Sequence, residues 1–403
     1  MMNRQRLRPI VQNITLLFGS LIFSLIVIEI GFRVLDPTPF FSDSEINNTE
    51  HGNLSVYDDA LGWKGVPNGE AEFVTRNNRV WLSHNRHGFR DIEHDPRSDK
   101  KPAIVFLGDS FTWGYEVEFD EMFVNRLRDR LPRYEIFNLA HRGYGTDQAL
   151  LTFNRWDDRR PLGLVVLMFS ENDVWDNNSA FSSGKPKPKY QLHNNKLILT
   201  GLPVPKDESW MRTSDVEATP DSWKVAFKNL FYSSHFINNM RIRYKLFRER
   251  RHLDLTQDHT KQQEFAPDYT LTSRILEELR NEVMRRGSRL VVVFIPSKRE
   301  IDELDDCVPY QTIIADFYEN LGVEYVDLSP DLKKTFFRTY YRQGMHWNAH
   351  GHKVAAEALN DYLEKEVIPL VLTDARWPRA VTHPRLRQIR TYPTQASGSS
   401  DSR

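Results

Sequence analysis

Cysteine is almost absent from this chain of 403 residues, and the single thiol, Cys307, has no second cysteine with which to form an intrachain disulfide. Charge of one sign is also lacking: the formal net charge is -1, so the composition gives no indication of a nucleic-acid partner. No internal repeat is apparent. The chain does contain 40% hydrophobic and 12% aromatic residues, which is enough for a substantial core in one large or two modest domains.

The longest apolar segment lies near the N-terminus, at residues 14–32, and is close to the length of about 20 residues that a helix needs to cross a bilayer. Arg4, Arg6 and Arg8 precede it and acidic residues follow it, so the positive-inside rule predicts a cytoplasmic N-terminus and an extracytoplasmic remainder. No A-x-A-like cleavage site follows, which favours an uncleaved single-pass anchor over residues 1–35; a cleavable signal peptide is the alternative.

One carboxylate interrupts this apolar segment. Glu29 lies four residues before Arg33, where the two side chains can pair on one helix face near the outer membrane surface. A functional carboxylate inside the membrane is the alternative interpretation.

Apolar strands alternate with helical patterns after residue 101. Strands are predicted over 103–107, 134–139, 164–169, 290–295 and 323–328, and helices over 120–131, 146–156, 271–286, 310–321 and from Asn348, as N-cap, to Tyr362. This alternation predicts an α/β fold with a doubly wound, mostly parallel sheet.

The alternation stops between residues 174 and 268, a stretch too long for an ordinary loop, which predicts an insertion. It is interpreted as a lid or acceptor-binding subdomain; packing against the sheet, or a flexible segment near the membrane, are the alternatives. Its basic stretch 238–251 is interpreted as a solvated helix face, with contact to anionic head groups or an anionic polymer as the alternative. The remaining boundaries are a stalk and adapter over 36–101, a catalytic domain over 102–368 and a disordered basic tail over 369–403.

Four polar blocks follow or interrupt the predicted elements. The first, 108–110 (GDS), places a serine just past the carboxyl end of a predicted strand, where open α/β sheets keep their ligands. The others are 138–145 (NLAHRGYG), 170–173 (SEND) and 344–348 (GMHWN). In this order the blocks resemble the SGNH/GDSL hydrolase family over residues 83–363. The resemblance implies a three-layer α/β sandwich and a hydrolase that acts on ester bonds.

The resemblance also implies a role for one residue in each block: Ser110 as nucleophile, the Gly143 backbone N–H and the Asn172 side-chain amide as oxyanion donors, and His346 as general base. Serine is a weak nucleophile at neutral pH, so its attack on an ester needs both a base and stabilisation of the developing oxyanion. No cofactor is predicted.

The last block departs from the family pattern, in which an aspartate usually stands three residues before the histidine. This chain has Gln343 there. A neutral amide can orient the imidazole but cannot stabilise the imidazolium as a carboxylate does. We therefore predict a Ser-His dyad assisted by Gln343 or by a backbone carbonyl. A metal site is an alternative interpretation of the three neighbouring histidines His346, His350 and His352. No cysteine or carboxylate nearby completes a ligand set, so no metal is predicted.

The leading hypothesis is therefore a membrane-anchored, extracytoplasmic serine esterase that removes an acyl group, most plausibly acetyl, from a carbohydrate or another envelope ester. A polysaccharide O-acyltransferase with the same chemistry is a close variant. The contrasting hypothesis is a non-catalytic scaffold of the same fold, which the missing aspartate favours and the retention of all four block residues opposes. The expected partners are an acylated substrate and the membrane.

Overall fold

The computed structural model describes residues 4–35, 39–42, 45–46, 54–95, 101–158, 160–206, 223–256, 269–301, 321–335 and 338–367. Most of the predicted helix 310–321, the thiol of Cys307 and the predicted tail 369–403 lie outside this part of the chain.

Helices and strands alternate through much of the described chain. The helices are α1 (Arg4–Leu35), α2 (Ser110–Trp113), α3 (Phe123–Arg130), α4 (Thr146–Arg155), α5 (Asn172–Asn178), α6 (Trp223–Tyr232), α7 (His235–Thr256), α8 (Tyr269–Arg285), α9 (Lys298–Ile301), α10 (Ser329–Lys334) and α11 (Ala349–Tyr362). The strands are β1 (Ser55–Asp58), β2 (Gly62–Gly65), β3 (Glu70–Val74), β4 (Arg79–Ser83), β5 (Ala103–Leu107), β6 (Glu135–Asn138), β7 (Leu162–Ser170), β8 (Phe181–Ser182), β9 (Lys185–Pro186), β10 (Lys189–His193), β11 (Lys196–Thr200), β12 (Leu290–Ile295) and β13 (Glu324–Asp327).

The central sheet has five strands in the order β13-β12-β7-β5-β6, and each neighbouring pair is parallel. The three inner strands β12, β7 and β5 are almost wholly apolar because both faces of the sheet are covered by helices. All five residues of β5 are buried, and their side chains alternate between the two faces: Ile104 and Phe106 enter one core cluster, Val105 and Leu107 the other.

The two core clusters define the layers on either side of the sheet. One is completed by α3 and α11, through residues such as Leu127 and Leu359, and the other by α4 and α8, through residues such as Phe153 and Leu279. The α/β class, the doubly wound parallel sheet and the three-layer arrangement predicted from the sequence are therefore confirmed.

Most element ends lie within one or two residues of the predicted ones, and the largest difference is at the start of α3. The helix expected to begin at Asp120 begins at Phe123, because a 3-10 turn over Phe119–Glu121 comes first and the Glu121 carboxylate accepts the backbone N–H of Glu118. The predicted insertion 174–268 begins within α5. By contrast, Asn348 caps α11 as predicted, since its Oδ1 accepts the N–H of Gly351 at 2.9 Å.

The N-terminal helix is the element that bears on the membrane. The segment Gln12–Leu35 of this helix has a mean hydropathy of 2.3 in its most apolar stretch, and none of that stretch is buried. The segment is therefore long and apolar enough to cross a membrane. The predicted pair within it is present: Arg33 Nε donates to Glu29 Oε1 at 2.8 Å.

The adapter and the insertion attach to the sheet domain differently. The adapter forms two antiparallel hairpins, β1-β2 and β3-β4. In the insertion, the hairpin β10-β11 packs on the core face that includes α8, through Tyr190 and Leu192. The helices α6 and α7 instead extend to α1, where the rings of Phe236 and Phe32 lie 5.5 Å apart.

Candidate active site

The first polar block forms a tight turn between β5 and α2. Gly108 has a φ of +149°, and a Cβ there would come within 2.5 Å of Thr112 Oγ1, so the turn requires glycine. Asp109 then caps α2, because its Oδ1 accepts the N–H of Phe111 at 2.9 Å. The result is a half-buried Ser110 at the carboxyl edge of the sheet.

The last block brings a histidine to this serine. Ser110 Oγ lies 2.8 Å from His346 Nε2. His346 stands in a turn closed by a bridge between Tyr340 and Trp347 and by a hydrogen bond from the Tyr341 N–H to the His346 carbonyl at 3.0 Å. The sequence-predicted nucleophile and base are thus brought together from distant parts of the chain.

Two aromatic rings hold the imidazole from the segment that follows the serine. The ring centroid of Tyr115 lies 4.3 Å from that of His346, and the centroid of Phe111 lies 5.2 Å from it. Burial lowers the pKa of His346 to about 4, so the ring is neutral at pH 7 and its nitrogen can accept a proton.

A carboxylate faces the other nitrogen of the same ring. Glu116 Oε2 lies 4.0 Å from His346 Nδ1, and the Glu116 side chain is 5% exposed. The backbone of Glu116 has a φ of +68°, an uncommon conformation for a residue with a Cβ. Such a conformation persists only where the surroundings hold it, and those surroundings come largely from the adapter.

Adapter residues hold this carboxylate and its loop. Asn77 Nδ2 donates to Glu116 Oε1 at 2.9 Å, and Asn78 Nδ2 donates to the Glu116 carbonyl at 3.1 Å. The fully buried Arg90 donates through Nη2 to the carbonyl of Val117 at 2.6 Å. The adapter therefore fixes the loop that faces the histidine.

Gln343 is not brought to the imidazole by its side chain. Its carbonyl accepts Asn77 Nδ2 at 2.5 Å, and within the described residues its side chain makes no hydrogen bond. Gln343 lines a cleft together with Arg76, Lys228 and Arg241. The group that faces His346 Nδ1 is thus the carboxylate of Glu116.

Position 143, in the second block, also requires glycine. Its φ is +75°, and a Cβ there would lie 2.7 Å from Ser183 Oγ. Its carbonyl accepts the hydroxyl of Ser182 at 2.8 Å, and its N–H has no hydrogen-bond partner in the part of the chain that the structure describes. Trp63 supports this turn, because its indole Nε1 donates to the neighbouring Arg142 carbonyl at 3.1 Å.

Asn172 begins α5 on the surface at the carboxyl end of β7. Its Nδ2 donates to Asp176 Oδ2 at 3.0 Å and lies 3.4 Å from Asp109 Oδ2, while its Oδ1 accepts the Ser170 hydroxyl at 2.7 Å. The amide therefore contacts two carboxylates close to the nucleophile turn.

Two buried carboxyl groups lie beneath the serine turn. Ser170 Oγ is 2.9 Å from Asp109 Oδ2 and 3.3 Å from Asp173 Oδ2. Burial raises the pKa of both carboxyl groups, and the charge of Asp109 raises that of Asp173 further. Asp173 also accepts the hydroxyl of Thr146 at 2.9 Å.

The three histidines near the last block have separate contacts. His350 Nε2 lies 2.7 Å from Thr335 Oγ1, whereas His352 Nδ1 accepts the N–H of Phe123 at 3.4 Å. Among the described residues, no three His, Cys, Asp or Glu side chains are grouped so that they could hold a metal ion.

Sequence reasoning missed Glu116 and Asn77. Four acidic residues follow the serine within residues 116–121, and nothing in their spacing tells which one faces the histidine. The only signal was the short distance along the chain between Ser110 and this acidic segment.

Comparison with known proteins agrees with the sequence resemblance. Residues 251–380 match the model of a family described as "SGNH hydrolase-like domain, acetyltransferase AlgX". The matched segment includes His346 and Gln343 and lies after the other three blocks. No curated protein matches the sequence.

Several solved structures are similar to this chain. TesA is 10% identical, with a TM-score of 0.36, over 65% of this chain and 98% of its own. A lipolytic protein of the G-D-S-L family from Veillonella parvula is 11% identical, with a TM-score of 0.34, over 65% of this chain and 98% of its own. The acetyl xylan esterase AlAXEase is 12% identical, with a TM-score of 0.35, over 65% of this chain and 99% of its own.

Proposed function

This chain carries an SGNH hydrolase-like domain, and from that premise we propose that it is a membrane-anchored, extracytoplasmic serine esterase. The observation that carries the proposal is the distance of 2.8 Å between Ser110 Oγ and His346 Nε2. A serine within hydrogen-bond reach of a neutral histidine is the arrangement that nucleophilic acyl chemistry requires.

In the proposed reaction, Ser110 Oγ attacks the carbonyl carbon of an ester while His346 Nε2 takes the hydroxyl proton. The resulting imidazolium then gives this proton to the alkoxide of the alcohol that leaves, and an acyl group remains on Ser110. A water molecule repeats both steps in the second half, which releases the carboxylic acid and restores the serine.

Glu116 supplies the negative charge that stabilises the imidazolium in both halves of this reaction. Its Oε2 lies 4.0 Å from Nδ1, the nitrogen opposite the one that faces Ser110. We therefore propose a Ser110-His346-Glu116 triad in which Asn77 positions the carboxylate.

The oxyanion is bound by the Gly143 N–H, assisted by the Asn172 amide. The Gly143 N–H has no partner among the described residues, so it is available to a negatively charged oxygen. The Asn172 amide must turn from Asp176 toward the site to donate in the same way. One well-placed donor of this kind contributes on the order of 100-fold to 1000-fold in turnover.

Labelling with a fluorophosphonate probe tests this proposal. We expect the full-length parent in detergent to be labelled, the Ser110→Ala variant to remain unlabelled, and Ser273→Ala to be labelled like the parent. Ser273 is the matched control because, among the described residues, its hydroxyl donates only to the carbonyl of Tyr269 on α8. Equal labelling of folded parent and Ser110→Ala would rule out Ser110 as the nucleophile.

Acyl transfer is the second candidate, because the description of the matching family names an acetyltransferase. In this variant, a sugar hydroxyl replaces water in the second half of the reaction. An acetylated polysaccharide is the proposed acyl donor or the proposed product of transfer. Analysis of the reaction products distinguishes the two functions, because hydrolysis releases free acetate whereas transfer yields a newly acetylated sugar.

A further inference from the structure

The helix pair α6–α7 in the insertion is held to the outer end of α1 by a half-buried polar contact. The Glu29 carboxylate of α1 accepts the backbone N–H groups of His235 and Phe236, each at 3.0 Å, and the hydroxyl of Ser234 at 2.7 Å. These N–H groups belong to the first turn of α7, which has no intrahelical partners for them. The one carboxylate in the apolar part of α1 is therefore satisfied by the start of α7.

Aromatic contacts extend this attachment into the segment that follows α1. Phe236 packs on Phe32 of α1, and the rings of Tyr232 and Phe40 lie 5.9 Å apart. The guanidinium of Arg241 lies over the Tyr232 ring at 4.6 Å. The helix pair is thus fixed beside the end of α1 at several points.

The same helix pair leaves an apolar stripe exposed. On α6, Trp223 is 75% exposed, Phe227 62%, Leu230 73% and Phe231 48%, at a spacing that places all four on one helix face. On α7, Met240, Tyr244 and Phe247 are exposed at a similar spacing. Contiguous apolar surface of this kind indicates an interaction site rather than contact with water.

Depth and charge both point to lipid as the partner. Glu29 lies six residues before the end of α1, so α7 begins about 9 Å below the end of the apolar helix, within the depth at which interfacial helices lie. Exposed cations accompany the stripe on the same two helices: Lys228, Arg243, Lys245 and Arg248. An apolar stripe flanked by cations is typical of helices that lie on anionic membranes.

We propose that the α6–α7 pair lies in the headgroup region of the membrane crossed by α1. The apolar stripe then lies among the acyl chains and consists of Trp223, Phe227, Leu230 and Phe231. Anionic headgroups surround the exposed cations of the two helices. This inference rests on the proposed anchoring of α1.

The membrane contact of α7 has a consequence for the active site. Arg342, close to His346 in the chain, donates through Nη1 to Asn239 of α7 at 2.6 Å. The turn that carries the general base is thereby held close to the lipid surface.

Spin labels test the proposal in the full-length protein, reconstituted in vesicles of phosphatidylcholine and phosphatidylglycerol. In a Cys307→Ser background, a nitroxide is placed singly by Phe227→Cys, Leu230→Cys, Ile22→Cys in α1, and Met284→Cys. Met284 is the matched control, an exposed apolar residue on α8. Collisions with oxygen, which concentrates in lipid, are compared with collisions with a water-soluble nickel complex.

We expect oxygen collisions to dominate at residues 22, 227 and 230, and nickel collisions to dominate at 284. If residue 22 is in lipid but the nickel complex reaches residues 227 and 230 as readily as residue 284, the helix pair does not contact the membrane. That result would leave the anchor intact. Shielding of 227 and 230 from both reagents would indicate a protein partner instead and would also overturn the membrane contact. Nickel access at 22 would overturn the anchor and this inference together, whereas serine labelling at Ser110 reports on the esterase independently.

Discussion

Glu116 and His346 face each other from distant parts of the chain, with the Glu116 Oε2 atom 4.0 Å from the His346 Nδ1 atom. The carboxylate is buried, its backbone is in the left-handed region, and Asn77 holds its second oxygen at 2.9 Å. A charge fixed in this way can stabilise an imidazolium without moving during the reaction. On this ground we propose a catalytic role for the loop after Ser110, and the first two predictions test it.

Replacing Glu116 by glutamine removes the charge and keeps the shape of the side chain. We expect Glu116→Gln to lower kcat for an activated acetyl ester by about 100-fold to 1000-fold, because the imidazolium loses its counter-charge. KM stays close to that of the parent. Steady-state kinetics measure both constants, and Glu118→Gln, an exposed acid in the same loop, is the control with unchanged kcat. A Glu116→Gln enzyme as fast as the parent would remove Glu116 from the mechanism.

Changes at Gln343 distinguish this carboxylate from the amide expected from the sequence. Since Gln343 lines the cleft with Arg76 and Lys228, we expect Gln343→Ala and Gln343→Asp to leave kcat within about threefold of the parent, the range of weak indirect effects on positioning. A large loss in Gln343→Ala, or a large gain in Gln343→Asp, would show that residue 343 orients the histidine. The kinetic assay used for Glu116 measures both.

Acid inactivation should report the state of His346. Burial lowers its pKa to about 4, and only the neutral ring accepts the serine proton, so the rate falls as the pH drops through about 4 and is level above it. A histidine with its ordinary pKa of about 6.5 would lose activity at a higher pH. The pH profile of kcat/KM with an uncharged ester measures the inflection, and an inflection near 6.5 would contradict the burial argument.

Asn172 provides a test of the proposed oxyanion donors. Asn172→Asp keeps the shape but replaces the donating amide by an acceptor, so we expect kcat to fall by about 100-fold or more. Asn178→Asp, on the same helix α5, is the control and should retain activity. If the two variants were equally active, the amide seen here with Asp176 and Asp109 would have only a structural role.

The strand and helix pattern could be predicted from the sequence because local rules govern it. The apolar run at residues 290–295 was predicted as a strand with the bounds that β12 has, and Asn348 was identified as the cap of α11. The start of α3 could not be predicted, since it depends on a hydrogen bond of the Glu121 side chain to the backbone of Glu118. Short-range capping of this kind competes closely with simple continuation of a helix.

The sequence also singled out Ser110 and His346, because a motif marks each of them, and the structure brings them within 2.8 Å. It did not indicate Glu116, since a carboxylate in an acidic loop has no motif and acts only through its position. The sequence left several interpretations of the insertion open, and none of them included the contact between α7 and α1.

The amino-acid sequence by itself determined the class of fold and the apolar N-terminal helix, and it singled out Ser110 and His346, since these depend on periodicity and local motifs. Only the tertiary structure decided which acid faces the histidine, and that α7 satisfies Glu29. Both contacts join segments far apart in the chain, and their distances and burial arise only when the chain is packed.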